Sequence, residues 1–179
     1  MADVVGRLST AAAGLSRAIE GAEAKHAWEA NSPCEGWTAG DVADHIIDNY
    51  VGVALALGTA VTRTEHRAQD WLTVRDTVLA GAARDGALDI VAAGPGGPMP
   101  LGRLLAVFVL VDTLLHTWDI AHAVGIDESL DEELCRRCYE RFLPADETIR
   151  GPATFGAKLD YAEDDRIQVK TLRFFGRSA

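Results

Sequence analysis

Asp112, His116 and Asp119 follow one another at spacings of four and three in the segment Leu104–Val124, LLAVFVLVDTLLHTWDIAHAV. On an α-helix these positions share one face. The rest of the segment is apolar nearly all round, the mark of a helix inside a core. A carboxylate and an imidazole buried together must be paired, hydrogen-bonded or bound to a metal. The pattern is therefore either a structural polar network or half of a metal site. Side chains at i and i+4 lie roughly 6 Å apart or less. Asp112 and His116 are thus able to converge on one ion, at about 2.0–2.2 Å each. A third ligand has to come from another element. His45, in DVADHI (Asp41–Ile46), is the best candidate. Two His and one carboxylate, with one coordination position left open, form a catalytic rather than a structural zinc pattern. The same donors also suit nickel, iron or manganese.

Each of these residues has a plainer reading. On its own helix His45 falls with Asp41 and Asp48, away from the apolar face of Ile46, Tyr50, Val53 and Leu57. Taken alone it faces solvent. As a ligand it requires that this polar stripe line a cleft. Asp119 serves either as an acceptor behind a metal-bound imidazole or as the partner of a nearby Arg. His122 sits about 80° around the helix from Asp112 and reads as a helix-end residue near the last carbonyls. His26 and His66 lie among charged or loop residues and read as exposed. For hydrolysis no residue stands out as a general base, and Asp48, one turn after His45, is the candidate left for that role. Arg63, Arg67, Arg75 and Arg103 are cations suited to an anionic substrate, but spacing does not place them. Cys135 and Cys138 form a single CxxC on an expected helix and read as ordinary helix residues. With Cys34 the count is three, which is no disulfide framework.

The elements that must hold these residues are mostly helical. The 179 residues are expected to form a single domain, 1–179, with 48% hydrophobic residues to build a core. A first helix is expected over 2–21. A loop follows from Lys25 to Trp37, marked by Asn31, Ser32, Pro33 and Gly36. Thr38, with Asp41 three residues on, resembles a capping box and opens a helix to about Val61. A third helix spans Glu65–Arg84. Asp89–Met99 (DIVAAGPGGPM) reads as a structured loop, after at most a short strand. Its Gly and Pro content suits either a lid or a plain connection. A helix then runs over Leu101–Val124, with Gly125 as its stop. Ser129 is expected to cap a helix to Phe142. Residues 143–159 read as irregular, and Asp164–Gly176 as a last amphipathic helix. Long amphipathic helices with one irregular insertion predict an all-α helical bundle.

A net charge of −10 and a pI near 4.9 argue against nucleic acid and against an anionic membrane surface. They suit a soluble cytoplasmic protein. The first 20 residues carry Asp3, Arg7, Arg17 and Glu20 and give no export signal. The longest apolar run, Leu104–Val111, is too short to span a bilayer. The oligomeric state is not readable, and a homodimer stays open.

Three motifs carry a resemblance to a known family. SPCEGWTAGDVADHI (Ser32–Ile46) resembles the segment of the mycothiol-dependent maleylpyruvate isomerase N-terminal domain, within the wider DinB-like group, in which a turn precedes the helix carrying the first metal-binding His. DTLLHTWDIAHAVG (Asp112–Gly125) resembles the second metal signature. TFGAKLDYAEDDRIQVKTLRFFGR (Thr154–Arg177) resembles the close of short actinobacterial members. The resemblance implies an up-down-down-up four-helix bundle holding a divalent metal, usually zinc. The ligands it implies are His45, Asp112 and His116, with His45 turned to the metal. It implies a low-molecular-weight thiol of the mycothiol type as cosubstrate, in S-transfer or isomerisation. The alternatives are a non-catalytic metal- or ligand-binding bundle and a metal-assisted hydrolase. Two departures stand out. The isomerase has Glu where this chain has the shorter Asp112, and it has a C-terminal domain that this chain is expected to lack.

Overall fold

The computed structural model describes residues 3–151 and 155–179. Ala2, expected to start the first helix, and Thr154, which opens the third motif, lie outside the described residues. The chain divides into two compact units, Met1–Glu128 and Ser129–Ala179. Among the described residues it is mostly helical, with one two-stranded sheet.

In the first unit α1 spans Val4–Ala24 and buries Val4, Leu8, Ala11, Leu15, Ala18, Ile19 and Ala22 along one stripe. The helix α2 spans Ala39–Ala56. The Thr38 hydroxyl accepts from the Asp41 amide, and the Asp41 carboxylate accepts from the Thr38 amide. This is the expected capping box, with Asp in place of Glu. Such a cap is worth about 1 kcal/mol. α2 stops short of Val61 because Gly58 turns left-handed at φ 84°. The Gly58 and Thr59 amides then close back on the carbonyls of Leu55 and Ala54.

Two local devices shift the other boundaries. α3 spans Arg67–Ala82. It begins two residues later than expected, beyond a turn in which the Asp70 carboxylate accepts from the amide and hydroxyl of Thr64. The Gly/Pro-rich segment is a hairpin rather than an irregular loop. β1 (Val91–Gly94) pairs antiparallel with β2 (Gly97–Pro100), in register from Val91 opposite Pro100 to Gly94 opposite Gly97. Pro95 and Gly96 form its two-residue turn, and Gly97 sits at φ 105°.

The helix α4 spans Leu101–Val124, with a π-helical stretch at Leu105–Val109. Gly125, at φ 64°, ends it as expected. By length and composition alone α4 is apolar enough to cross a membrane, but 72% of its most apolar window is buried inside the protein. That is the signature of a core helix. α4 packs on α1 and α2, and α3 packs on the same two helices. Leu8, Leu15, Ile46, Ile47, Tyr50, Trp71 and Trp118 fill the space between. Fully burying one such side chain is worth about 1.5–3 kcal/mol.

In the second unit α5 spans Glu132–Phe142. Its cap is Asp131, whose carboxylate accepts from the Leu134 amide, and not Ser129. A 3₁₀ segment, Leu143–Ile149, occupies part of the stretch expected to be irregular. α6 spans Ile167–Phe174, starting three residues after Asp164. Asp165 is spent on a turn instead, accepting from the Ala162 amide. Phe142, Phe155, Phe174 and Phe175 pack edge to face or tilted against one another. Cys135 and Cys138 are buried thiols of α5 that are not joined in a disulfide. Burial pushes the Cys135 thiol up to about 12.

Candidate metal centre

The packing of α2 on α4 sets His45 opposite Asp112 and His116. His45 Nε2 lies 3.1 Å from Asp112 Oδ2, and His116 Nε2 lies 3.3 Å from Asp112 Oδ1. The two imidazole rings meet edge to face at 5.2 Å. One donor atom from each of the three residues lies within 4.8 Å of the others. Two ligands of a tetrahedral ion with bonds of about 2.1 Å stand roughly 3.4 Å apart. The observed separations are close to that spacing. Two neutral imidazoles and one carboxylate are also a suitable donor set for zinc and its neighbours. The residues therefore fit a divalent metal.

Behind this set, His116 Nδ1 lies 2.8 Å from Asp119 Oδ2. The Asp119 side chain is 0% exposed and that of His116 is 8% exposed. With Nδ1–H donating to Asp119, Nε2 is the nitrogen left to face Asp112 and His45. This is the support that fixes the tautomer of metal-ligating imidazoles. Of the two readings of Asp119, hydrogen-bond acceptor and partner of an Arg, the first matches this contact. The other side is open. His45 is 36% exposed at its side chain, Asp112 30%, and Trp37 37% overall.

The charge states follow from these contacts. Burial works against ionisation of Asp112, but hydrogen bonds from His116 and His45 outweigh it and hold the carboxyl well below the usual carboxylate range. Burial likewise opposes a charge on His116. Its hydrogen bonds to Asp112, Asp119 and Cys34 outweigh that and hold its pKa well above the ordinary 6.5. Without a metal, a proton on His116 supplies the positive charge that the cluster needs.

Three residues were not picked out as site residues by the sequence reading. Asn49 donates from Nδ2 to Asp112 Oδ2 at 2.8 Å and lies 3.1 Å from His45 Nε2. It stands one turn after His45, the same i, i+4 spacing that drew attention to Asp112 and His116. Trp37 stacks on His116 at 6.3 Å and tilts against His45 at 5.2 Å. Cys34 lies with its Sγ 3.4 Å from Asp119 Oδ2. Cys34 and Trp37 come from one loop. The Trp37 amide donates to the Cys34 carbonyl, the Ser32 amide donates to the Trp37 carbonyl, and Gly36 takes φ 78° between them. A glycine at that third turn position is what the backbone requires.

The remaining candidates are engaged elsewhere. Asp48 pairs with Arg63 at 2.7 Å. Arg67 pairs with Asp44 at 2.8 Å. Arg75 binds Asp76 and the Ser16 hydroxyl, and Arg103 is exposed. His122 faces Glu128 at 2.9 Å and stacks on Trp118. His26 and His66 are exposed, as expected.

Residues 8–93 match the model of the mycothiol maleylpyruvate isomerase N-terminal domain. The matched span contains His45 and ends before Asp112. Two curated relatives, each titled an uncharacterised protein of Mycobacterium tuberculosis (strains CDC 1551 / Oshkosh and ATCC 25618 / H37Rv), are 30% identical over 142 residues. The aligned region covers 74% of this chain and 72% of each relative. No solved structure matches the chain.

Proposed function

The chain belongs to the mycothiol maleylpyruvate isomerase N-terminal domain family, and from that premise we propose that it is a metal-dependent protein of thiol chemistry. In this reading His45, Asp112 and His116 hold one divalent ion, zinc first among the options. The four packed helices of the first unit form the family's up-down-down-up bundle. The cosubstrate is a low-molecular-weight thiol of the mycothiol type, and the reaction is S-transfer to an electrophile or a thiol-assisted isomerisation. The protein acts in the cytoplasm.

One observation carries the reading. Three metal-type donors from two helices converge on one point that is backed by a buried carboxylate and open on the other side. A divalent ion there supplies positive charge that favours the thiolate over the thiol. The chain's own residues do the rest. Asp119 orients His116 and keeps its Nε2 turned toward Asp112. The Asn49 amide holds one oxygen of Asp112 in place. Trp37 overhangs the open side and offers an apolar face to a bound ligand. Hydrolysis has less support, because Asp48, its candidate base, is paired with Arg63.

The test is metal content. The purified chain should carry zinc or a neighbouring divalent ion in stoichiometric amount, and His45→Ala and Asp112→Asn should lose it while staying folded. The loaded protein should then transfer a mycothiol-type thiol to an electrophile. A chain that takes up no metal on reconstitution overturns the reading and leaves Asp112 and His116 as a structural pair. A loaded chain without thiol transfer leaves a metal-binding bundle.

A further inference from the structure

His116 belongs to two donor sets. One is His45, Asp112 and His116. The other is Cys34, His116 and Asp119, whose ligand atoms also lie within 4.8 Å of one another. The two sets use different ring nitrogens. Nε2 faces Asp112 at 3.3 Å, and Nδ1 faces Asp119 at 2.8 Å. On the Nδ1 side, Cys34 Sγ stands 3.4 Å from the same Asp119 oxygen. The second set differs in chemistry as well as place. It contains sulfur, and sulfur selects thiophilic ions where imidazole and carboxylate alone do not. It is also the more enclosed of the two, since the Asp119 side chain is fully buried.

We propose that Cys34, His116 and Asp119 form a second metal seat, specific for thiophilic divalent ions, that excludes an ion at the His45 seat. The exclusion follows from the imidazole. A neutral ring has one free nitrogen lone pair and one N–H. An ion on Nε2 requires the proton on Nδ1, donating to Asp119. An ion on Nδ1 requires the proton on Nε2, donating to Asp112. Both arrangements satisfy the ring, and only one exists at a time. Binding at the second seat also replaces the Cys34 S–H bond by a sulfur–metal bond, and the thiol proton leaves to solvent. Ion softness then decides which side of His116 is occupied. A thiophilic ion captured by Cys34 leaves His116 Nε2 protonated toward Asp112, with no lone pair to offer the His45 seat.

The second seat stands apart from the proposed function, and its exclusion of an ion at the His45 seat rests on that reading. The experiment uses cadmium as the soft probe and manganese as the hard one, on the metal-free full chain. Cadmium is expected to raise an ultraviolet thiolate-to-metal charge-transfer band that saturates at equimolar ion. The band should vanish in Cys34→Ser and persist in His45→Ala. Manganese, followed by its electron paramagnetic resonance signal, should bind wild type and Cys34→Ser and fail to bind His45→Ala. Cadmium added to the manganese-loaded chain should release manganese one for one. Circular dichroism should show that both variants keep wild-type helix content. The seat is overturned by the absence of the band from wild type, or by its survival in Cys34→Ser, which would trace it to Cys135 or Cys138. The exclusion is overturned by both ions remaining bound together. A Cys34-dependent band without manganese binding supports the second seat while counting against the His45 seat. Manganese binding that needs His45, with no band, does the reverse.

Discussion

Asp44 and His45 are neighbours on α2, yet they belong to two polar clusters that balance their charge in different ways. Asp44 is held by two guanidiniums, Arg63 and Arg67, and Arg63 also reaches Asp48 and Asp70. Burial works against the Asp44 charge, but those bonds outweigh it and keep its pKa below the ordinary value. Each carboxylate there has a cation built into the chain. One turn of side chain away, Asp112 pairs with two imidazoles and an amide. Among the described residues no Lys or Arg stands within ion-pair distance of it. Its balancing charge must be exchangeable, a proton on His116 or a metal ion. A cluster with a fixed cation is architecture. A cluster whose cation can leave is fitted to binding.

The largest expected effect comes from His116→Ala, which removes the ring shared by both donor sets. Breaking a buried pair costs about 3–5 kcal/mol. Denaturant unfolding of the metal-free variant should show a loss of that order, and elemental analysis should find no bound metal. If stability is unchanged, the contact with Asp119 is not holding the core.

Next is Asp112→Asn, which keeps the shape and removes the charge. Its loss of zinc affinity should exceed the about 10–100-fold typical of a residue that only supports a ligand. Asn49→Ala tests such a supporting residue and should itself fall within that roughly 10–100-fold range. Competition against a chelator measures both. An Asn49 effect as large as that of Asp112 would make the amide a ligand rather than a positioning residue.

The two clusters should also part in their response to pH. His116 has a raised pKa in the folded chain, so its stabilisation is complete below 6.5 and is lost as pH rises through the folded value. Asp112 has a lowered pKa, so its contribution is present above 3.8 and is lost as pH falls through the folded value. The metal-free protein should therefore lose stability as pH rises through the raised His116 value. Zinc affinity should rise over the same range, because the ion competes with the His116 proton. Thermal unfolding with and without zinc reads both slopes, and parallel slopes would break the distinction.

The smallest effect belongs to Asp44→Asn. Partly exposed ion pairs are worth about 0–1 kcal/mol. Stability should fall by no more than that, with metal content unchanged. A loss of metal here would join the two clusters that charge balance separates.

Most of the helices, and half of the candidate site, were legible in the sequence. The i, i+4 spacing of Asp112 and His116 inside an apolar helix is local and survives any packing. So do the Thr38 cap and the Gly125 stop, which depend only on residues a few positions away. Misplaced boundaries trace to local competition. Gly58 ended α2 early, Asp131 displaced Ser129 as a cap, and Asp165 was spent on a turn before α6. The hairpin was missed because Gly and Pro mark a bend without stating whether its arms pair. His45 was the ambiguous residue. Its own helix shows a polar stripe, and a stripe does not say whether water or another helix lies opposite.

The sequence by itself determined which residues offer metal-type donors and which helices hold them, because spacing, capping and apolar periodicity act within a few residues. The tertiary structure decided what faces those residues. It turned the polar side of α2 onto α4, put the Asn49 amide on Asp112, brought the Ser32–Trp37 loop over His116, and placed a thiol on one side of that ring and a carboxylate–imidazole pair on the other. Apart from His116 with Asp112, those contacts join residues tens of positions apart. Only the burial of apolar faces against one another selects them, and no local spacing records that choice.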